Sequence, residues 1–132
     1  MVASFVLLLL LPLQGQAVSL VGGLTDHPVS DPETANVAHF AVQAYNEAND
    51  NPLYIREVKL IQAQTQVVSG INYYLTMELA VTECQKSFPS NDLEKCQVPS
   101  GAEHWECVFL VWSQPWLNKL ELTNSTCKTI TT

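Results

Sequence analysis

Of 132 residues, 47% are hydrophobic and 14% charged, a balance that excludes a disordered polar chain; the length suits one small domain rather than two. The formal net charge of −7 has the wrong sign for gripping nucleic-acid phosphates or an anionic membrane surface. After residue 17 every apolar run is too short to cross a bilayer, so a compact soluble domain is expected.

Phe5 to Leu13 form an apolar run broken only by Pro12. It falls short of the roughly 20 residues a spanning helix needs and fits the core of a signal peptide. Gly15-Gln16-Ala17 supplies the small-x-small cleavage pattern, which predicts a signal over 1–17, a mature domain over 18–132 and export from the cell. One feature departs from the pattern: no Lys or Arg precedes the run. Export puts Cys84, Cys96, Cys107 and Cys127 in an oxidising compartment, where an even count reads as two disulfides. Three pairings are open. The sequential one, Cys84 with Cys96 and Cys107 with Cys127, closes two modest loops worth about 3 kcal/mol each, and is the expected one. A metal site would need clustered ligands, but there is no C-x-x-C and His27, His39 and His104 are scattered, so no metal and no cofactor is expected.

Ser30-Asp31-Pro32-Glu33 carries a capping-box spacing and an Asp-Pro helix start. Val37, Phe40, Ala41, Ala44, Tyr45 and Ala48 then recur at helical spacing and predict a core-facing stripe, with His39 at its border. Asn49-Asp50-Asn51-Pro52 ends the helix, because proline disfavours helical geometry before it and Asn and Asp favour turns.

From Tyr54 the period changes to two. Tyr54 to Val68 reads as a strand joined by Ser69-Gly70 to a second, in which Ile71, Tyr73, Leu75, Met77, Leu79 and Val81 face the core and alternate with Asn72, Tyr74, Thr76, Glu78, Ala80 and Thr82. Cys84 to Gly101, rich in Ser, Pro, Asn and charge, reads as a loop pinned by the first disulfide. Glu103 to Trp112 and Leu117 to Cys127 read as a further strand pair joined across Ser113-Gln114-Pro115-Trp116. With a short extended piece before the helix, the expected class is α+β: one long helix packed across a curved, antiparallel five-stranded sheet. Asn124-Ser125-Thr126 is the one glycosylation sequon, in a strand near a disulfide cysteine.

Three connections carry residues that turns seldom hold: Leu20-Val21-Gly22-Gly23, Gln66-Val67-Val68-Ser69-Gly70 and Pro115-Trp116. The hairpin layout puts both tips at one end of the sheet, within reach of the amino segment, where apolar groups would need a partner to cover them.

The order and spacing of these segments, with four cysteines in the carboxyl half, Phe40-Ala41-Val42, Tyr45-Asn46 and Tyr73, resemble a secreted type 2 cystatin over Leu20 to Cys127. Val111-Trp112-Ser113-Gln114-Pro115-Trp116-Leu117 is similar to the cystatins of reptile and snake secretions. The resemblance implies a helix gripped by a five-stranded sheet and reversible, tight, competitive inhibition of papain-like cysteine proteases such as cathepsins L, S and B. Carried over by motif, Leu20 and Val21 would fill substrate-side pockets, with Gly22 giving backbone freedom and Gly23 belonging to the same protease-binding segment. Gln66, Val67, Val68, Ser69 and Gly70 would sit over the enzyme's cysteine, with Pro115 and Trp116 on the far side of the cleft. Some secreted cystatins also inhibit legumain through an Asn in a Ser-Asn-Asp motif after the helix; here the motif is Ala48-Asn49-Asp50, which makes Asn49 a candidate. A monomer is expected, with exchange of the first hairpin between copies as the alternative.

Two other functions compete. The nearest enzyme-like constellation is His104, Glu106 and Cys107, but strand alternation sets His104 and Cys107 on opposite faces and the thiol is expected to be oxidised, so no enzyme is expected. A cystatin-fold binding module without protease inhibition is the stronger rival.

Overall fold

The computed structural model describes residues 23–88 and 92–130. The elements are β1 (Thr25–His27), α1 (Pro32–Ala48), β2 (Leu53–Val68), β3 (Gly70–Gln85), β4 (His104–Gln114) and β5 (Lys119–Thr129). Short 3-10 turns at Leu93–Lys95 and Pro115–Leu117 lie in the two later connections. The strands pair in the order β1-β2-β3-β4-β5, each neighbour antiparallel, and α1 packs across one face. This is the expected α+β layout. Both disulfides follow the sequential pairing, and Cys107 lies directly opposite Cys127 in the β4–β5 register.

The core is a layer of Val37, Ala38, Ala41 and Val42 from α1 on Ile55, Leu75, Met77, Leu79, Phe109 and Val111 of the sheet. Tyr45 stands edge-on to Phe109 at 5.4 Å and its hydroxyl meets the Cys127 sulfur at 3.8 Å. The helix face is rotated from the expected stripe: Thr34, Ala38, Val42 and Asn46 are buried, whereas Ala48 is exposed and Phe40 and Ala44 are half-covered. Two polar residues on the core side hide that face from a count of apolar positions. Asn46 is there because its amide exchanges two hydrogen bonds with the backbone of Ile55, at 2.8 and 2.9 Å, fastening the helix to β2. Of the two overlapping start signals the Asp-Pro one operates: Asp31, rather than Ser30, caps the helix, accepting from the N–H of Glu33.

β2 carries bulges, which bend a strand and raise its twist. Its pairing with β3 slips between Glu57 and Lys59 and again between Leu60 and Gln62, so Val58 and Ile61 are extra residues turned toward solvent. The expected loop begins later than Cys84, since β3 runs to Gln85. Segment 96–103 then continues along the β3 edge beyond β4, with the N–H of Glu83 donating to the Gln97 carbonyl and that of Val81 to the Glu103 carbonyl. Ala80 and Thr82, expected on the solvent face, are buried: Arg56, opposite Ala80, reaches to the carbonyls of Glu94 and Cys96, and the Thr82 hydroxyl donates to the Tyr54 carbonyl. Among the described residues no helix is long and apolar enough to cross a membrane.

Candidate functional site

The β2–β3 register ends with Val68 opposite Gly70, leaving Ser69 at the tip. Gly70 has φ +91°, a left-handed conformation that side chains resist, and a Cβ there would lie 2.3 Å from the carbonyl oxygen of Ser113 and 3.3 Å from the Trp116 ring. Glycine is required because the second hairpin presses against the first. β4 pairs with β3 as far as Ile71 opposite Ser113, which carries Gln114 to Leu117 to the same end of the sheet. There Pro115 starts a single 3-10 turn, closed by Asn118 at φ 50° with its N–H donating to the Pro115 carbonyl.

The indole N–H of Trp112 donates to the Ser69 carbonyl at 2.7 Å, so the two tips are held together by a direct bond. Reasoning from sequence missed this residue, since a tryptophan in a strand pattern reads as core; its signal was position, four residues before Trp116. Val68, Ser69, Asn72, Leu110, Trp112 and Thr123 line a shallow groove behind the junction. Gln66 accepts from the Tyr74 hydroxyl at 3.3 Å, which fixes its side chain along the outer face.

β1 brings the third segment. Thr25 pairs with Thr65 and His27 with Ala63, so the antiparallel register leads the chain before Thr25, Leu24 and then Gly23, toward Gln66 and Val67. The strand is tied on both sides. Asp26 accepts from Gln62 and Gln64, while His27 contacts the Asp31 carboxylate at 2.7 Å and stands edge-on to Tyr73. The N–H of Glu33 and then His27 hold the Asp31 carboxyl below its ordinary range, and burial pushes the Tyr73 hydroxyl up. Leu20, Val21 and Gly22 lie outside the described residues.

What these contacts assemble is an apolar rim. Val67 is 74% exposed, Val68 41%, Trp116 58% and Leu117 59%, with Leu24 beside them half-exposed. Leu24 and Leu117 extend the set read from sequence. No ionisable group is needed for such a surface to act: it can exclude water from a complementary groove and little else.

The other candidates fall elsewhere. Asn49 caps the far end of α1, its side chain accepting from the N–H of Asn51 at 2.7 Å and its carbonyl held by Lys86 beyond the end of β3, the opposite end from the rim. Asn124 is exposed on β5. Cys107 is bonded to Cys127 and His104 contacts Glu78 at 2.6 Å, so the three enzyme-like residues do not form a unit. Among the described residues no cluster of His, Cys, Asp and Glu is placed to hold a metal.

Comparison with known proteins agrees with this geometry. Residues 22–116 match the family model described as a cystatin domain. The chain is 46% identical over 131 residues to cystatin-1 of Crotalus adamanteus, covering 95% of this chain and 94% of that one. It is 44% identical over 126 residues to a cystatin of Pseudechis porphyriacus, covering 91% and 87%. Among solved structures, that of Al-CPI superposes with a TM-score of 0.75 at 34% identity, over 83% of this chain and all of the other.

Proposed function

The chain belongs to the cystatin family, whose members are inhibitors of cysteine proteases and not enzymes, and from that premise we propose that it is a secreted, reversible, tight-binding competitive inhibitor of papain-like proteases of the cathepsin L, S and B kind. Residues 1–17 direct export and are removed, leaving 18–132 as the inhibitor. The rim enters the active-site cleft as a wedge: Leu20 to Gly23 on the substrate side, Gln66 to Gly70 over the enzyme's cysteine, and Pro115 with Trp116 on the far side. The inhibitor contributes no reacting group. It occupies the cleft without offering a peptide carbonyl at attack distance from the thiolate.

The observation that carries this reading is the junction of the two tips, where Trp112 bonds to Ser69 and the Trp116 ring lies against Gly70. Such contacts order the loops before any partner arrives, which removes much of the entropy cost of association. A standard protease–inhibitor interface of about 1,600 Å² is large enough to take in all three segments. The test is steady-state inhibition of cathepsin L by the purified mature chain. With inhibitor in excess of enzyme, the apparent KM should rise linearly with free inhibitor while kcat stays unchanged. No inhibition at large molar excess, with the fold intact, leaves the rival reading of a binding module.

A second protease site is proposed at Asn49, against legumain. The observation in its favour is the extended backbone there, φ −97° and ψ 136°, at the end of the molecule opposite the rim, so that both enzymes could be held at once. The Asn49 side chain must give up its bond to the N–H of Asn51 to enter a specificity pocket. Asn49→Lys should abolish legumain inhibition and leave cathepsin inhibition unchanged; equal potency of the two proteins against legumain ends the proposal.

A further inference from the structure

We infer that Asn124 is an N-glycosylation site whose glycan covers an outer strip of the sheet beside its free β5 edge; the inference rests on the reading that the chain is exported. The sequon Asn124-Ser125-Thr126 has its hydroxyl residue in place and no proline between. All three residues are exposed. β5 ends the strand order, so its far side has no neighbouring strand among the described residues.

Orientation follows from the register. Cys127 points inward to its disulfide with the buried Cys107, so alternation turns Asn124 and Thr126 to the outer face. The bulge between Leu110 and Val111 makes this possible. Thr123 is the extra residue, its hydroxyl donating to the Leu110 carbonyl at 3.1 Å, so Leu122 faces the core while Asn124 faces out only two positions later.

On that outer face Asn124 lies opposite Leu110 and Thr126 opposite Val108, which is 40% exposed. An apolar pair beside an unpaired strand edge invites pairing with another chain. A glycan rooted at Asn124 starts next to that pair and shields both it and the edge. The rim stays open, since Asn124 is five residues along β5 from Lys119, roughly 15 Å at the usual strand rise.

In the transfer, the Asn124 amide nitrogen attacks the first sugar carbon of a lipid-pyrophosphate-linked oligosaccharide. The nitrogen–carbon bond forms, the bond from that carbon to the pyrophosphate oxygen breaks, and the lipid pyrophosphate leaves with the amide losing one proton.

The test is to express the full chain in a eukaryotic secretory host and treat the protein from the medium with peptide-N-glycosidase. The expected result is a mobility shift, with Asn124 converted to Asp in the peptide mass. Asn124→Gln and Thr126→Ala should each abolish the shift. Enzymatic removal of the glycan should leave the cathepsin inhibition constant within about twofold of the untreated value, because the rim lies at the end of the strand. Secreted protein with Asn124 unmodified overturns the inference, as does a chain that stays in the cell unmodified. A glycosylated chain that fails to inhibit cathepsins sinks the inhibitor reading and leaves this one standing.

Discussion

The two ends of the β2–β3 hairpin show what structure-holding and partner-seeking surfaces look like in one small sheet. At the end near the helix C-terminus, polar groups are satisfied within the chain. Asn46 bonds both backbone groups of Ile55, the Lys86 ammonium caps the carbonyls of Asn46 and Asn49, and Arg56 holds the carbonyls of Glu94 and Cys96 next to a disulfide. At the tip the Trp112–Ser69 bond joins one loop to the other, and the apolar side chains are left uncovered. A group already paired inside contributes to stability; a tryptophan exposed to water contributes when something else covers it.

This contrast is open to attack at either end. Asn46→Ala should have the largest effect on stability, about 3 kcal/mol, because it strands a buried N–H and a buried carbonyl of Ile55. Thermal unfolding would show a lower Tm, while the protein still folded should inhibit as before. Gly70→Ala attacks the tip. With Ser113 O 2.3 Å from the new methyl group and a left-handed backbone, the loops must part, costing about 2 to 3 kcal/mol and, unlike Asn46→Ala, raising the inhibition constant even in folded protein.

A smaller effect is expected at Glu57, on the helix-facing side of β2 next to His39 and Glu94. Burial, only partly offset by the charge of His39, raises its carboxyl above the ordinary value. The fold therefore favours the protonated form. That contribution is fully present below the ordinary glutamate value and is lost as pH rises through the raised one. Glu57→Gln should raise the Tm at pH 7, by well under about 1 kcal/mol of stability given the solvent screening at this half-open site, and the gain should vanish in acid. A gain that persisted at low pH would contradict the assignment.

Much of this was legible in residue order. The helix bounds, the alternation of Tyr73 to Leu79 and both hairpins were readable because each depends on local chemistry: an Asp-Pro start, an Asn-rich stop, a period of two. The face of α1 was legible in part: Val37, Phe40, Ala41 and Tyr45 meet the core as their spacing implies, but the burial of Asn46 depends on a partner in β2, Ile55, which helical spacing does not report. The bulges at Val58 and Ile61 left no trace either, since two one-residue slips restore the parity between Ile55 and Ala63. At the rim, Gly70 announced a turn, but the close approach of Ser113 and the bond from Trp112 join segments over 40 positions apart, and no spacing rule reports such contacts.

Trp116→Ala tests the central claim most directly, because the ring is exposed and its loss should leave the fold alone. Covering it in a partner's cleft is worth at most about 5 kcal/mol, of which truncation should reveal about 2 to 4. The account predicts an inhibition constant for cathepsin L raised at least about tenfold, with unchanged thermal unfolding. An unchanged constant would contradict it.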